Sequence, residues 1–387
     1  MVSGSVLILT AGFGEGHNAA ARNLEAALRK DHPGLDVAVN DVFDESYGRL
    51  NRLLQAAYRS VINHHPALWG SFYNHLDRSR SATSGAAVFP RAAKLLADRI
   101  TRYNADVVVS CFPGYGAFLD KVRSGTARPF TYVTVVTDSL TINSIWWRCS
   151  SDYFLVPNEP TAKSLERGGV PRDKIRVTGF PVPIVFSTPA PSRRTPLAGE
   201  PWRVLYMVNS GHDLAPGVVR ELLAIENIAL AVTCGRDTVL MDRLRQLALE
   251  TGRPLELHGW TPEIPQLLRS AHVLISKAGG ATVQEAMAAR TPMVITQVIP
   301  GQEEGNALLL VENGAAVIAT TPAAIADSVR SLFADNGELY STRHAATAIL
   351  SHPAGAHEAG HFIASFCLRH RETGLKIPPS PRPPHPL

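Results

Sequence analysis

Two groups of residues in this 387-residue chain have the types and spacing to do chemistry. In the first, Ser276, Lys277 and the pair Gly279-Gly280 break an apolar run, Val273 to Ile275, and Ala281 and Thr282 lead into a helical pattern. That pattern carries Val283, Ala286, Met287 and Arg290, and it stops at Thr291-Pro292. With Thr282 as N-cap, a strand, a glycine turn and a helix N-terminus follow one another, and free backbone N–H groups with the positive end of the dipole suit a diphosphate. Three residues past that cap, Glu285 offers a carboxylate to vicinal hydroxyls such as those of a ribose. A second strand, Met293 to Gln297, delivers a polar loop ending at Asn306, where Gln302 and Glu303 supply acceptors and an amide donor for a sugar ring.

The second group begins with an apolar strand, Val6 to Thr10, that runs into Gly12, Gly14, Gly16 and His17 ahead of the helix Ala19 to Arg29. Glycines at the C-terminal end of such a strand bring backbone close to a ligand. The spacing is not G-x-G-x-x-G, so no dinucleotide is implied. An imidazole with its ordinary pKa of about 6.5 suits removal of a proton from an alcohol as it attacks a sugar. A helix-start histidine bonded to backbone is the competing reading. The strand Phe130 to Thr137 delivers Asp138 to the same rim, where it could orient His17, stabilise its protonated form, bind acceptor hydroxyls or cap the next turn.

Near-continuous apolar strands alternating with amphipathic helices predict an α/β chain with parallel sheets. Its length accommodates two domains. The pattern divides into an α/β domain over 1–186, a Pro-, Ser- and Arg-rich hinge over 187–201 and a second α/β domain over 202–355. A helix over 356–372 and a Pro-rich tail over 373–387 follow, the tail lacking the composition to pack. No apolar run is long enough to span a membrane, and Val6 to Ala11 is too short for a signal peptide, so a cytoplasmic protein is expected. Cys111, Cys149, Cys234 and Cys367 have no paired spacing, so neither a metal site nor a disulfide framework is expected.

Charge divides unevenly. Residues 1–185 carry 21 Lys and Arg against 16 Asp and Glu, whereas residues 200–355 carry 11 against 16. A basic first half suits an anionic membrane surface. Nucleic acid is not expected, because no basic run with interleaved aromatics occurs. Tyr47 to Leu76 reads as a basic amphipathic helix with Leu50, Leu53, Leu54, Ala57, Tyr58, Val61 and Ile62 on one face. With Trp69, Phe72 and Tyr73 it either packs on the domain's core or dips into a bilayer interface.

SKAGGATVQEAMAARTPMVI followed by IPGQEEGN resembles the donor-binding segment of glycosyltransferase family 28, specifically its monogalactosyldiacylglycerol synthases and bacterial processive diacylglycerol glucosyltransferases. The N-acetylglucosaminyltransferase of peptidoglycan lipid intermediates is a more distant likeness. The resemblance implies a GT-B fold, two Rossmann-like domains with parallel sheets facing a central cleft, and a last helix that crosses back to the first lobe. It also implies inversion, a UDP-sugar as co-substrate, no cofactor and no obligatory metal.

Carried over by position, the donor side comprises Lys277, Gly279, Gly280, Ala281, Thr282, Glu285, Gln302, Glu303 and Asn306. Gly235 lies in a turn similar to the family's CGxN, and Trp260 stands where such enzymes hold uracil by main-chain groups. On the acceptor side, Gly14 and Gly16 lead to His17 as general base, and the Thr137-Asp138 motif is followed by Trp146. Tyr58, Trp69 and Tyr73 match the lipid-acceptor region. The chain departs from the family at residues 209–213, where only Gly211 survives of a GGGxGxG loop.

Diacylglycerol is therefore the expected acceptor, on an enzyme peripheral to the inner face of the cell membrane. A prenyl-linked or phosphoglycerolipid acceptor stays open, as does a UDP-N-acetylglucosamine 2-epimerase-like isomerase, which shares this architecture.

Overall fold

The computed structural model describes residues 4–64, 89–125, 129–188, 195–197, 199–301 and 303–372. The chain divides into two compact units, residues 1–184 with 354–387, and residues 185–353.

The first unit is built on six parallel strands: β1 Ser5–Leu9, β2 Asp36–Asn40, β3 Val107–Ser110, β4 Thr131–Val135, β5 Tyr153–Val156 and β6 Ile175–Val177. Their order is β2-β1-β3-β4-β5-β6. Leu9 pairs with Asn40 on one side and Ser110 on the other, so the chain reverses its winding between β1 and β3. Such a reversal opens a crevice at the carboxyl ends of the strands, the usual ligand edge of an open α/β sheet. Every residue of β3 and β4 is buried, as β-branched strands covered on both faces should be. Leu7, Leu9, Val108, Tyr115, Phe118 and Tyr132 share one core cluster. The last helix, Gly355–Glu372, lies on the helix Glu15–Asp31, with Gly360 against Leu28 and Asp31 paired with His357. A Cβ at Gly355 would collide with the Phe180 carbonyl oxygen.

The second unit repeats the plan with β7 Trp202–Met207, β8 Ile228–Thr233, β9 Glu256–His258, β10 Val273–Ser276, β11 Met293–Ile295 and β12 Ala316–Ile318. The order β12-β11-β10-β7-β8-β9 places the reversal between β7 and β10. Val204, Tyr206, Val218, Leu222, Val232, Val273 and Ile275 form its core.

One expectation changes. The helix expected from Tyr47 is two helices, Val42–Tyr47 and Arg49–His64, because Gly48 takes φ 46, which ends the first. Leu50, Leu53, Leu54 and Val61 of the second helix face solvent, with Leu53 68% exposed. The calls on Trp69, Phe72, Tyr73 and the tail lie outside the described residues, as does that on Gln302. Among the described residues no helix is long and apolar enough to cross a membrane.

Candidate active site

At the reversal of the first sheet, β1 leads through Gly12, Phe13 and Gly14 into the helix Glu15–Asp31, whose N-cap is Gly14 at φ 136. Asp41 accepts from the Gly12 N–H at 3.0 Å while its other oxygen caps the helix Val42–Tyr47. Gln55 lies against Gly12, and Tyr58 meets the Phe13 ring edge-on at 5.9 Å, so the helix Arg49–His64 lies on this loop. One turn into its own helix, His17 is buried, 8% exposed. Its Nδ1 is 3.0 Å from Thr137 Oγ1, and its ring packs edge-on against Phe112 at 5.1 Å and obliquely beside Trp146 at 6.0 Å.

Burial drives the His17 pKa down to about 4, a hydrogen bond with the Cys111 backbone opposing weakly. The ring is therefore neutral at physiological pH. When Nδ1 carries the proton and donates it to Thr137, Nε2 keeps the lone pair that a base requires. The neighbouring Cys111 thiol is no competing nucleophile, because burial pushes it up to about 12.

Asp138 accepts from the Trp146 indole N–H at 2.9 Å, and the group against His17 Nδ1 is the Thr137 hydroxyl. Trp146 is 1% exposed, a core ring that fixes Asp138 rather than a surface for an acceptor. Gly16 sits inside the first turn, partly buried.

At the reversal of the second sheet, β10 runs into Lys277 and Gly279. Gly279 is the N-cap of the helix Gly280–Ala288, so the helix starts earlier than a Thr282 cap would place it. With φ −64 and ψ 138, Gly279 turns the chain directly from strand to helix. Thr282 becomes the third helical residue, Ala281 the second, and Glu285 moves into the second turn, partly buried. An ideal Cβ on Gly279 would lie 3.7 Å from each of Lys277 Nζ, Glu303 Oε1 and Thr282 Oγ1, so those groups ring this turn. The orphan N–H groups of the first turn open beside a cation.

Glu303 is 4% exposed and does not offer a free carboxylate to a sugar. Oε1 pairs with Lys277 Nζ at 2.5 Å, and Oε2 accepts from the Ile299 N–H at 3.2 Å. Its role in the fold is to aim Lys277. Asn306 is buried too, its amide donating to the Ala278 carbonyl at 3.2 Å, which supports the turn from beneath. Gly211 at φ 66 and Gly235 at φ 57 take left-handed conformations in the loops after β7 and β8. Trp260 is 69% exposed beyond β9. Among the described residues no group of three His, Cys, Asp or Glu could hold a metal ion.

Sequence reasoning missed Thr137 and Phe112 as neighbours of His17, and it missed the close pair formed by His212 Nδ1 and Asp237 Oδ2 at 2.6 Å. A signal for the pair existed. Met207 is in register with Thr233, so the loops carrying residues 212 and 237 leave adjacent strands.

Residues 17–182 match the family described as Monogalactosyldiacylglycerol (MGDG) synthase, and residues 204–335 the family Glycosyl transferases group 1. The chain is 29% identical over 363 residues to a processive diacylglycerol beta-glucosyltransferase of Bacillus cytotoxicus, covering 91% of each. It is 26% identical over 343 residues to the protein of the same name from Bacillus subtilis, covering 87% of this chain and 88% of that one. Acinetobacter baumannii MurG superposes with TM-score 0.62 at 15% identity, over 94% of this chain and 99% of that one. A putative UDP-N-acetylglucosamine 2-epimerase from Listeria monocytogenes gives 0.60 at 15%, over 98% and 99%. These two likenesses show the fold, which is GT-B.

Proposed function

We propose, for a chain that resembles the diacylglycerol glycosyltransferases of family 28 in both halves, that it transfers a hexose from a UDP-sugar to a hydroxyl of a lipid, with diacylglycerol as acceptor. The observation that carries this reading is that one chain holds two complementary rims. One has a neutral imidazole among aromatic rings, and the other has a glycine-capped helix start beside an aimed lysine.

The donor's diphosphate is assigned to the first-turn N–H groups of the helix Gly280–Ala288 and to Lys277, with Glu285 toward the ribose. These dipoles and the ammonium group carry the charge that develops on the departing UDP, which is why no divalent ion is required in this reading. His17 Nε2 takes the proton of the acceptor hydroxyl as its oxygen attacks the anomeric carbon. The bond to UDP breaks on the opposite face, so a single displacement inverts the configuration. Leu50, Leu53, Leu54 and Val61, flanked by Arg49 and Arg52, give the helix Arg49–His64 an exposed apolar and basic face suited to the interface of an anionic bilayer. This face supports the reading of an enzyme peripheral to the inner face of the cell membrane.

The test is to incubate the protein with diacylglycerol in anionic vesicles and, separately, UDP-glucose, UDP-galactose, UDP-N-acetylglucosamine and UDP-glucuronate, with and without EDTA. A glycolipid of inverted anomeric configuration, formed equally with EDTA, is expected. Epimerised UDP-sugar in the absence of lipid would replace this reading with an isomerase.

A further inference from the structure

We propose that His212, turned by Asp237, is a contact for the donor's diphosphate through Nε2, adding a side-chain donor to the backbone ones of the loop after β7. The inference rests on the donor-binding reading above and adds a residue to it.

The loop lies at the reversal of the second sheet, and three neighbouring strands, β10, β7 and β8, deliver Lys277, His212 and Asp237 from the same end. The ends of β7 and β10 are tied together, since Ser276 Oγ donates to the Met207 carbonyl at 3.1 Å and lies 3.4 Å from Asn209 Nδ2. At most nucleotide sites of this architecture, backbone N–H groups at the strand-to-helix turn face the phosphates. At the start of this helix three such positions are engaged or missing. Leu214 N–H bonds to the Gly211 carbonyl at 2.9 Å and Ala215 N–H to the His212 carbonyl at 3.4 Å. Pro216, next in the helix Ala215–Leu223, has no N–H.

A side-chain group stands beside these positions. Asp237 is fixed at both oxygens, Oδ1 accepting from Leu240 N–H at 2.9 Å as the cap of the helix Thr238–Thr251, and Oδ2 facing His212 Nδ1 at 2.6 Å. The Leu240 N–H and then His212 hold this carboxyl below its usual range, so it stays an acceptor for the ring. With Nδ1 engaged, Nε2 has no partner among the described residues, on a side chain 43% exposed. The arrangement parallels Lys277 and Glu303, a nitrogen group aimed by a carboxylate.

Calorimetry with UDP and with uridine separates the outcomes. His212→Ala is expected to weaken UDP about tenfold while uridine affinity holds, as loss of one charged hydrogen bond to phosphate should. His212→Lys is expected to restore UDP affinity and His212→Gln is not. Asp237→Asn keeps an oxygen for the Leu240 cap, so it should weaken UDP only when His212 is present, and the double variant with His212→Ala should bind like His212→Ala alone. Unchanged UDP affinity in His212→Ala, or a parallel loss of uridine, overturns the inference while leaving the donor reading intact. A wild-type protein that binds no UDP overturns both.

Discussion

On the rim of the first unit the polar groups are few and set among rings, with His17 beside Phe112 and Trp146, whereas on the rim of the second they are nitrogen groups paired with carboxylates and set among glycines. Both rims lie at the reversal of a six-stranded parallel sheet, so the frame does not account for the difference. Side-chain choice at the strand ends does. Apolar neighbours strip water from an imidazole and hold it neutral, a state useful to a base. Carboxylates aim cations outward, an arrangement useful for an anion.

The largest expected effect falls on the first rim. His17→Ala should lower turnover by roughly 10²–10⁴-fold, the usual contribution of a positioned base, with UDP affinity by calorimetry unchanged. Equal loss of UDP affinity would erase the contrast between the rims. On the second rim, Lys277→Met leaves Glu303 buried with only the Ile299 N–H, so it should cost about 3 kcal/mol in urea unfolding. Adding Glu303→Leu should recover most of that stability while UDP binding stays weak.

A pH series sharpens the first rim further. Since burial keeps His17 neutral to about pH 4, kcat/KM should hold level below the ordinary histidine range and fall only near that value. The unfolded chain takes up this proton near 6.5, which the folded chain refuses until about 4. The contribution to stability is thus present above 6.5 and lost as pH falls through that window, so wild type should lose more stability than His17→Gln there. The smallest effect belongs to the exposed helix face. Leu53→Ser with Leu54→Ser should reduce sedimentation with anionic vesicles and change unfolding free energy by no more than about 0.5 kcal/mol per site.

Much of this frame is legible in the residues. The run of valines in β3, the β-branched strand β4 and the apolar stretch at β10 announce buried parallel strands, and glycines after β1 and β10 mark both ligand edges. Local pattern says less about which side chains meet. Lys277 and Glu303 are 26 positions apart and meet only because β11 returns beside β10. Phe112 reaches His17 because β3 is the neighbour of β1, which strand order decides. Trp146 joins the acceptor side through the resemblance alone and is a core ring in the fold, its N–H held by Asp138. Thr282 is a good cap by type, yet Gly279 takes the cap because its backbone turns first.

The division of labour between the rims is tested most directly by amide hydrogen exchange with UDP present and absent. Slowed exchange over residues 277–285 and in the loop 209–214, with residues 12–18 and 137–146 unchanged, is the predicted result. Protection that appears over 12–18 while 277–285 exchanges as before would contradict it.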